Sequence, residues 1–201
     1  MQEKRIRLAS NADAEELLAI YAPYVRDTAI SFECEVVSPA VFAQRIERIC
    51  REYPYLVCIA DDQIVGYAYA RRQMARAAYE WNAELSVYLA PAFTGRGIGR
   101  ALYGALMALL RLQQVHTVYG GVTLPNPASE RLHLSLGFRR LGVYHRTGYK
   151  CGKWHDVAWF EKQILPYLAD PLPFRPITAL EPGQIDAILK DFQRRLNCET
   201  A

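Results

Sequence analysis

Three glycines at every second position separate a strand-like segment from an amphipathic helical pattern. The segment TGRGIGR (94–100) follows AELSVYL (83–89) and precedes ALYGALMALLRLQ (101–113). Each glycine costs about 0.5–1 kcal/mol relative to alanine inside a regular element, so three of them indicate a special turn. The first N–H groups of a helix lack partners within it, and the helix dipole favours anions there. A strand, a glycine turn and a helix start therefore suit a phosphate ligand, although a tight turn without a ligand explains the glycines equally well.

Two better-known phosphate motifs do not fit this segment. No Gly-Lys-Ser/Thr follows the glycines, which excludes a Walker A loop. The spacing G-x-G-x-G also departs from the dinucleotide-binding pattern, and the preceding strand is not the first of a βαβ unit.

Hydrophobic periodicity and capping signals predict the order β-α-α-β-β-β-α-β-α-β-β up to residue 167. This order predicts an α/β domain over residues 1–167 with one mixed, mostly antiparallel sheet flanked by helices. Residues 168–201 are predicted to form a proline-rich linker and a C-terminal amphipathic helix. Because a lone helix of this length is marginally stable, we expect it to dock on its own domain or on a partner subunit.

Composition excludes several function classes. A formal net charge of +3 gives no case for a nucleic-acid partner, which needs a basic face or cluster. The five cysteines are odd in number and none lies at metal-site spacing, so we expect reduced thiols, a cytoplasmic location and no metal. The N-terminal segment MQEKRIRLAS lacks the apolar stretch of a signal peptide. No apolar run approaches the ~18 residues of a membrane span, so no membrane partner is expected.

Two segments resemble the motifs of the GNAT acetyltransferases. ELSVYLAPAFTGRGIGRALYGALM (84–107) resembles the acyl-CoA-binding motif Q/R-x-x-G-x-G/A, whose amides bind the pyrophosphate of coenzyme A. Thr94 stands where the family usually has Gln or Arg, which removes one side-chain contact and keeps the glycine backbone. NPASERLHLSLGF (126–138) resembles the second family motif, with Asn126, Ser129, Gly137 and Phe138 in register. The resemblance implies the GNAT fold and acetyl-CoA as co-substrate.

A closer resemblance lies within that family. SFECE, ARAAYEWNAELSVYL, PNPASERLH and GYKCGKWHDVAWF are similar to the phosphinothricin N-acetyltransferase branch, from about residue 5 to about residue 165. The resemblance implies acetylation of the α-amino group of phosphinothricin or a related amino acid, such as methionine sulfoximine or sulfone. It also implies a homodimer. The tail after residue 168 has no counterpart in that resemblance.

Glu84 and His133 are the predicted catalytic residues. From the residues alone, Glu84 is either an outward-facing strand charge or a partly desolvated carboxylate suited to general-base work. The resemblance favours the base, because the matching glutamate is catalytic in that branch. His133 is either a half-buried helix residue or a proton shuttle. It occupies the place where many acetyltransferases have a general-acid tyrosine.

The resemblance also implies a cofactor site and an acceptor site. In the family, the strand before the glycines is splayed from its neighbour, and its free backbone groups hold the pantetheine arm. The predicted cofactor-binding residues are Val87, Tyr88, Leu89, Gly95, Arg96, Gly97, Ile98, Gly99, Arg100, Asn126, Ser129 and Ser135. Tyr88 could equally be a core aromatic residue, and Asn126 could equally be a helix cap.

Arg76 is the predicted anchor for the acceptor's acidic group, because a guanidinium pairs well with a carboxylate or phosphinate. The alternative is a solvated loop arginine. The full predicted acceptor set is Phe32, Met74, Arg76, Tyr79 and Glu84. Trp154, His155 and Asp156 are expected either to complete this pocket or to support a dimer.

Three readings of the function remain open from sequence. The first is direct acetyl transfer to an amino-acid-like acceptor, with Glu84 as base. The second is transfer to another small amine or a polyamine, although the arginine- and aromatic-containing segment 71–81 argues against a polyamine site. The third is a catalytically silent acyl-CoA-binding module.

Overall fold

The structure is a computed structural model that describes residues 3–199. The strands are β1 (Arg5–Leu8), β2 (Tyr55–Ala60), β3 (Gln63–Arg72), β4 (Asn82–Leu89), β5 (Thr117–Thr123), β6 (Arg139–Lys150) and β7 (Lys153–Gln163). The helices are α1 (Ala14–Arg26), α2 (Pro39–Cys50), α3 (Ile98–Leu112), α4 (Pro127–Ser135) and α5 (Pro182–Glu199). The predicted order of elements is confirmed, including the final helix.

One seven-stranded sheet carries the fold, in the order β1-β2-β3-β4-β5-β7-β6. Every neighbouring pair is antiparallel except β4 and β5, which are joined by α3 and run parallel. Alternate residues of β2 and β3 face opposite layers. Leu56 and Ala68 belong to the core that includes α3 and α5, whereas Val57 and Tyr67 pack with α1 and α2. The α/β class and the mixed, mostly antiparallel sheet are therefore confirmed.

β4 and β5 diverge soon after they meet. Their pairing joins residues 82–84 of β4 to residues 117–119 of β5 and stops at Glu84 and Tyr119. β4 stays paired with β3 as far as Leu89, and β5 stays paired with β7 as far as Thr123. We call the opening between residues 85–89 and 120–123 the fork. Along the fork, neither strand uses the other's backbone N–H and C=O groups, so the splay implied by the family resemblance is present.

Two glycines make the entry to α3 possible. Gly95 has a φ of +74° and Gly97, the N-cap residue of α3, has a φ of +77°. Side chains with a Cβ rarely adopt this left-handed conformation. The glycines thus turn the chain sharply and aim the first turn of α3 at the end of β4.

The C-terminal helix docks on its own domain. Leu189 and Leu196 of α5 are buried in the main core, and Phe192 packs against Gly104 of α3. The side chains of Gln193 and Asn197 accept hydrogen bonds from the backbone N–H groups of Ile6 and Lys4, at 3.2 and 2.9 Å. Within residues 3–199, no helix is long and apolar enough to cross a lipid bilayer.

Candidate active site

A cavity of about 740 Å³ opens beside the fork. Its walls come from the C-terminal part of α1 and the loop after it, the end of β4, the glycine turn with the start of α3, and α4. The cavity brings together most of the predicted cofactor-binding residues, which are Val87, Leu89, Gly95, Gly97, Ile98, Gly99, Arg100, Asn126, Ser129 and Ser135.

The cavity is apolar along β4 and cationic near the helix start. Val87, Leu89 and Leu132 supply aliphatic surface, while Arg100 and Arg131 place guanidinium groups on the lining of α3 and α4. The first N–H groups of α3 have no partners inside the helix, because intrahelical bonding begins with the Ala101 N–H donating to the Gly97 carbonyl at 3.0 Å. These features fit a long ligand with an apolar middle and an anionic end, such as acetyl-CoA.

Asn126 serves as a helix cap and also lines the cavity. Its Oδ1 accepts a hydrogen bond from the Ser129 N–H at 3.1 Å, which fixes the N-terminus of α4. The capping alternative is therefore observed. The same residue also lines the cavity.

Tyr88 and Arg96 are the two predicted cofactor-site residues that do not line the cavity. The Tyr88 ring packs on the opposite side of β4 against Tyr21 and Tyr24, at centroid distances of 4.9 and 5.2 Å. Burial raises the pKa of the Tyr88 hydroxyl well above its usual value. The Arg96 guanidinium lies 5.1 Å from the centroid of the Phe93 ring. The Tyr88 side chain is therefore a core aromatic residue, as one alternative expected. Only the backbone of Tyr88 can contact a ligand in the fork.

Glu84 lies at the closed end of the fork, at the last position where β4 pairs with β5. Its side chain is 14% exposed, and its Oε1 accepts a hydrogen bond from Arg71 Nη2 at 2.8 Å. Arg71 stands directly opposite on β3. The sequence analysis missed this partner. The pairing holds the carboxylate in one orientation.

His133 is enclosed by aromatic rings and is not part of the cavity lining. Its centroid lies 5.1 Å from those of Phe138 and Phe160 and 5.6 Å from that of Tyr103. Its Nδ1–H donates to the Ser129 carbonyl at 2.8 Å, while Nε2 is buried without a partner in the described chain.

Desolvation lowers the pKa of the imidazole from its ordinary value of 6.5. The second ring nitrogen faces Gly120 of β5 so closely that a Cβ there would overlap it. One alternative expected a half-buried histidine in a helix. The structure shows that His133 is in a helix but fully buried, with its ring pointing into the core.

Four of the five predicted acceptor residues lie on two loops and the fifth, Glu84, lies in β4; none of the five lines the cavity. Met74, Arg76 and Tyr79 are exposed on the loop 73–81, which joins β3 to β4 next to the Arg71–Glu84 pair. Phe32, on the loop between α1 and α2, is 38% exposed.

Lys150 anchors the loop that carries Phe32. Its buried Nζ donates to the carbonyls of Val25 and Ser31 at 2.7 and 2.6 Å. The Phe32 ring rests against Gly148 of β6. No local sequence pattern indicates this anchor, because the contacts join positions 119 and 125 residues apart.

The residues 154–156 have three different environments. Trp154 is 60% exposed and packs edge-on against Tyr149. His155 is buried, with Nε2 3.0 Å from the Lys150 carbonyl oxygen. Asp156 pairs with His145 at 3.0 Å and accepts the Arg146 N–H at 2.8 Å, which lowers the pKa of its carboxyl group.

Tyr24 and Arg131 are cavity residues that sequence reasoning missed. The Tyr24 hydroxyl donates to the Leu89 carbonyl at 2.6 Å and so ties α1 to the end of β4. Arg131 lies in α4 between the predicted positions Ser129 and Ser135. Its position on the same helix is the one sequence signal that could have suggested it. In residues 3–199, no three His, Cys, Asp or Glu side chains are grouped so that they could hold a metal ion.

Comparisons with known proteins agree with this geometry. Residues 6–159 match the acetyltransferase (GNAT) domain family. A phosphinothricin N-acetyltransferase of Streptomyces coelicolor is 37% identical over 166 residues, which cover 81% of this chain and 97% of that protein. An L-methionine sulfoximine/L-methionine sulfone acetyltransferase of Salmonella typhimurium is 32% identical over 160 residues, covering 79% of this chain and 94% of that protein.

A solved structure gives the same result at the level of the fold. The crystal structure of a GNAT superfamily phosphinothricin acetyltransferase from Sinorhizobium meliloti, in complex with acetyl-CoA, matches with a TM-score of 0.77 at 30% identity. The match covers 90% of this chain and 96% of that chain.

Proposed function

This chain belongs to the GNAT acetyltransferase family and is an acetyl-CoA-dependent N-acetyltransferase, and from that premise we propose its acceptor. It acetylates the α-amino group of phosphinothricin or of a related amino acid of the methionine sulfoximine or sulfone type. The names of the relatives from Streptomyces coelicolor and Salmonella typhimurium support this acceptor class. The observation that carries the proposal is the Arg71–Glu84 pair at the closed end of the fork.

The cavity provides the co-substrate site. The N–H groups at the start of α3, with Arg100, bind the pyrophosphate of acetyl-CoA. The free edge of β4 at residues 85–89 holds the pantetheine arm and lies against the apolar wall formed by Val87 and Leu89. Bound in this way, acetyl-CoA supplies the thioester that the amine attacks.

Glu84 is the general base of the proposed mechanism, either directly or through one water molecule. The acceptor ammonium loses a proton to the carboxylate, and the freed amine attacks the thioester carbonyl carbon. As the new C–N bond forms, the C–S bond breaks and its electron pair leaves with the coenzyme A thiolate. Backbone N–H groups on the free edge of β4 stabilise the negative charge that develops on the carbonyl oxygen.

We assign His133 a packing role in this mechanism. Its ring is enclosed by Tyr103, Phe138 and Phe160, and its second nitrogen, Nε2, is buried against Gly120 of β5. Arg76 remains the proposed anchor for the carboxylate or phosphinate of the acceptor, with Phe32, Met74 and Tyr79 around it. Two supports are its exposed position beside the end of β3 and its suitability for bidentate pairing.

We also propose that the protein is a cytoplasmic homodimer. All five cysteines are free thiols, as expected in a reducing compartment. β6 forms an edge of the sheet and exposes Leu141 and Tyr144 by 46% and 57%, which supports an interface with a second copy. Sedimentation velocity on the purified chain would measure the oligomeric state, and a purely monomeric species would reject the dimer.

The decisive experiment measures thiol release from acetyl-CoA against a panel of amines. The panel contains phosphinothricin, methionine sulfoximine, methionine sulfone, common amino acids and spermidine. We expect turnover on the first three and a loss of about 10²–10⁴-fold in kcat for Glu84→Gln, the usual contribution of a general base. Glutamine keeps the shape and can still accept a hydrogen bond from Arg71.

Glu161→Gln is the matched control. Glu161 is also a strand glutamate that is 14% exposed and paired with an arginine, Arg139. Its substitution should leave kcat within a few-fold of wild type. Turnover on spermidine alone would reject the acceptor class, and acetyl-CoA binding without turnover would indicate a silent module.

A further inference from the structure

The chain after β7 is bound to the closed end of the fork at several points. The family match ends at residue 159, so the residues after β7 that make these contacts lie outside the matched range. We call residues 164–199 the C-terminal extension and residues 73–81 the acceptor loop. The extension contacts Trp81, which directly precedes β4, and His116 and Thr117 at the start of β5. The acceptor loop ends at Trp81.

The closed end of the fork depends on Trp81, the last residue of the acceptor loop. β4 and β5 share only the short pairing that ends at Glu84 and Tyr119. The Trp81 carbonyl extends this contact, because it accepts the N–H groups of His116 and Thr117 at 2.8 and 3.3 Å. A displacement of Trp81 would therefore move the base of both strands.

The extension holds both sides of this junction. On the β5 side, the Ile164 N–H donates to the His116 carbonyl at 2.8 Å, and the Tyr167 hydroxyl lies 2.6 Å from Thr117 Oγ1. On the β4 side, the Trp81 indole Nε1–H donates to the Leu172 carbonyl at 2.8 Å.

A second anchor holds the extension three residues after Leu172, at Arg175. The Arg175 N–H donates to the Gln113 carbonyl at 3.0 Å, and Gln113 Nε2 donates to the carbonyls of Arg175 and Glu52 at 2.8 and 2.7 Å. Gln113 is fully buried. Leu172 thus lies between two bonded stretches of chain, around Tyr167 and around Arg175, and its carbonyl accepts the indole N–H.

The other end of the acceptor loop is tied to the same anchor. The Arg72 guanidinium lies 3.6 Å from the Glu52 carboxylate, and the Glu52 carbonyl accepts the Ile177 N–H at 2.9 Å. Between these ties, Arg76 and Tyr79 are exposed. The loop is therefore held at both ends by groups that the extension contacts, directly at Trp81 and through Glu52 at Arg72.

We propose that the C-terminal extension positions the acceptor loop through the hydrogen bond from Trp81 to the Leu172 carbonyl, which makes Trp81 a positioning residue for acceptor binding. The inference rests on the proposed function, because it takes the loop 73–81 to bind the amino-acid acceptor. The bond should affect binding of the acceptor and leave binding of acetyl-CoA unchanged. The bonded junction lies at the closed end of the fork, whereas the acetyl-CoA cavity lies at its open end.

Trp81→Phe tests the bond in the full-length chain, because it keeps an aromatic ring and removes the N–H donor. We expect the KM for the acceptor to rise about 5-fold, the usual effect of one lost hydrogen bond, while the KM for acetyl-CoA stays unchanged. Tyr167→Phe should act in the same direction through Thr117. Tyr149→Phe is the matched control, since the exposed Tyr149 hydroxyl makes no hydrogen bond within residues 3–199, and it should change neither constant.

Hydrogen–deuterium exchange gives a second readout that needs no substrate. Amides in the acceptor loop, including Tyr79 and Glu80, which donate to the carbonyls of Arg76 and Ala77, should exchange faster in Trp81→Phe than in wild type. Unchanged exchange there, or an equal rise in both KM values, would overturn the inference. If wild type acetylates no amino acid, the proposed acceptor fails, while faster loop exchange would still establish the link to the extension.

Discussion

At the scale of single residues, His133 shows how burial decides the role of a titratable group. Its imidazole is 2% exposed, and desolvation lowers its pKa below 6.5. The unfolded chain therefore binds a proton at a higher pH than the native chain does. The contribution of a neutral His133 to stability is present above about pH 6.5, and it is lost as the pH falls towards the lower native pKa.

We accordingly predict that the free energy of unfolding falls faster with acidification in wild type than in His133→Leu. The difference in slope can reach about 1.4 kcal/mol per pH unit, the value for one proton. Urea unfolding of both proteins between pH 7.5 and 5 measures it. Because the ring lies outside the cavity, kcat of His133→Leu at pH 7.5 should stay within about 10-fold of wild type, whereas a general acid would cost more. A native pKa at or above 6.5, measured by NMR, would contradict this prediction.

At the scale of elements, the turn between β4 and α3 links backbone conformation to ligand binding. Gly97 caps α3 with a φ of +77°, and a left-handed conformation costs about 1–2 kcal/mol for a residue with a Cβ. We predict that Gly97→Ala lowers the free energy of unfolding by that amount or shifts the turn. In either case the first N–H groups of α3 lose their alignment, and the Kd for coenzyme A should rise about 10-fold, which corresponds to about 1.4 kcal/mol.

Calorimetric titration with coenzyme A measures this effect. Gly183→Ala is the control, because Gly183 lies in the first turn of α5, where an added Cβ meets no atom within 4 Å. It should be neutral or slightly stabilising, since alanine favours helix. Equal coenzyme A affinity in wild type and Gly97→Ala would show that the left-handed cap is not needed for binding.

The same elements explain which parts of the site could be predicted from sequence. Glycine spacing, the Asn126 cap and the helical period of α3 are local signals, so the glycine turn, α3 and α4 were predictable. The Arg71–Glu84 pair depends on the register of β3 against β4 across the loop 73–81, and no local pattern fixes that register. The direction of the His133 ring likewise depends on Gly120 of β5, Phe160 of β7 and Phe138, which lies between α4 and β6.

At the scale of the whole molecule, the C-terminal extension completes the core and also covers an edge of the sheet. β1 is an edge strand, and the N–H groups of Ile6 and of Lys4, which directly precedes the strand, donate to α5 side chains rather than being left open. An open edge invites pairing with another chain. The amphipathic pattern of α5 predicted that it docks, but the surface it covers belongs to α3 and β1, which are distant in sequence.

This arrangement predicts that α5 contributes to global stability, which a tethered appendage would not do. Leu196 is 1% exposed, so Leu196→Ala should lower the free energy of unfolding by about 2–5 kcal/mol, the usual cost of deleting a buried leucine side chain. Leu168→Ala is the matched control, because Leu168 lies in the same extension but is 56% exposed, and its loss should cost within about 0.5 kcal/mol. Urea unfolding followed by far-UV circular dichroism measures both variants. If α5 unfolded independently, Leu196→Ala would give a separate early transition and leave the main transition in place. Because α5 shares its core with α3, we expect instead one cooperative transition whose midpoint shifts to a lower urea concentration.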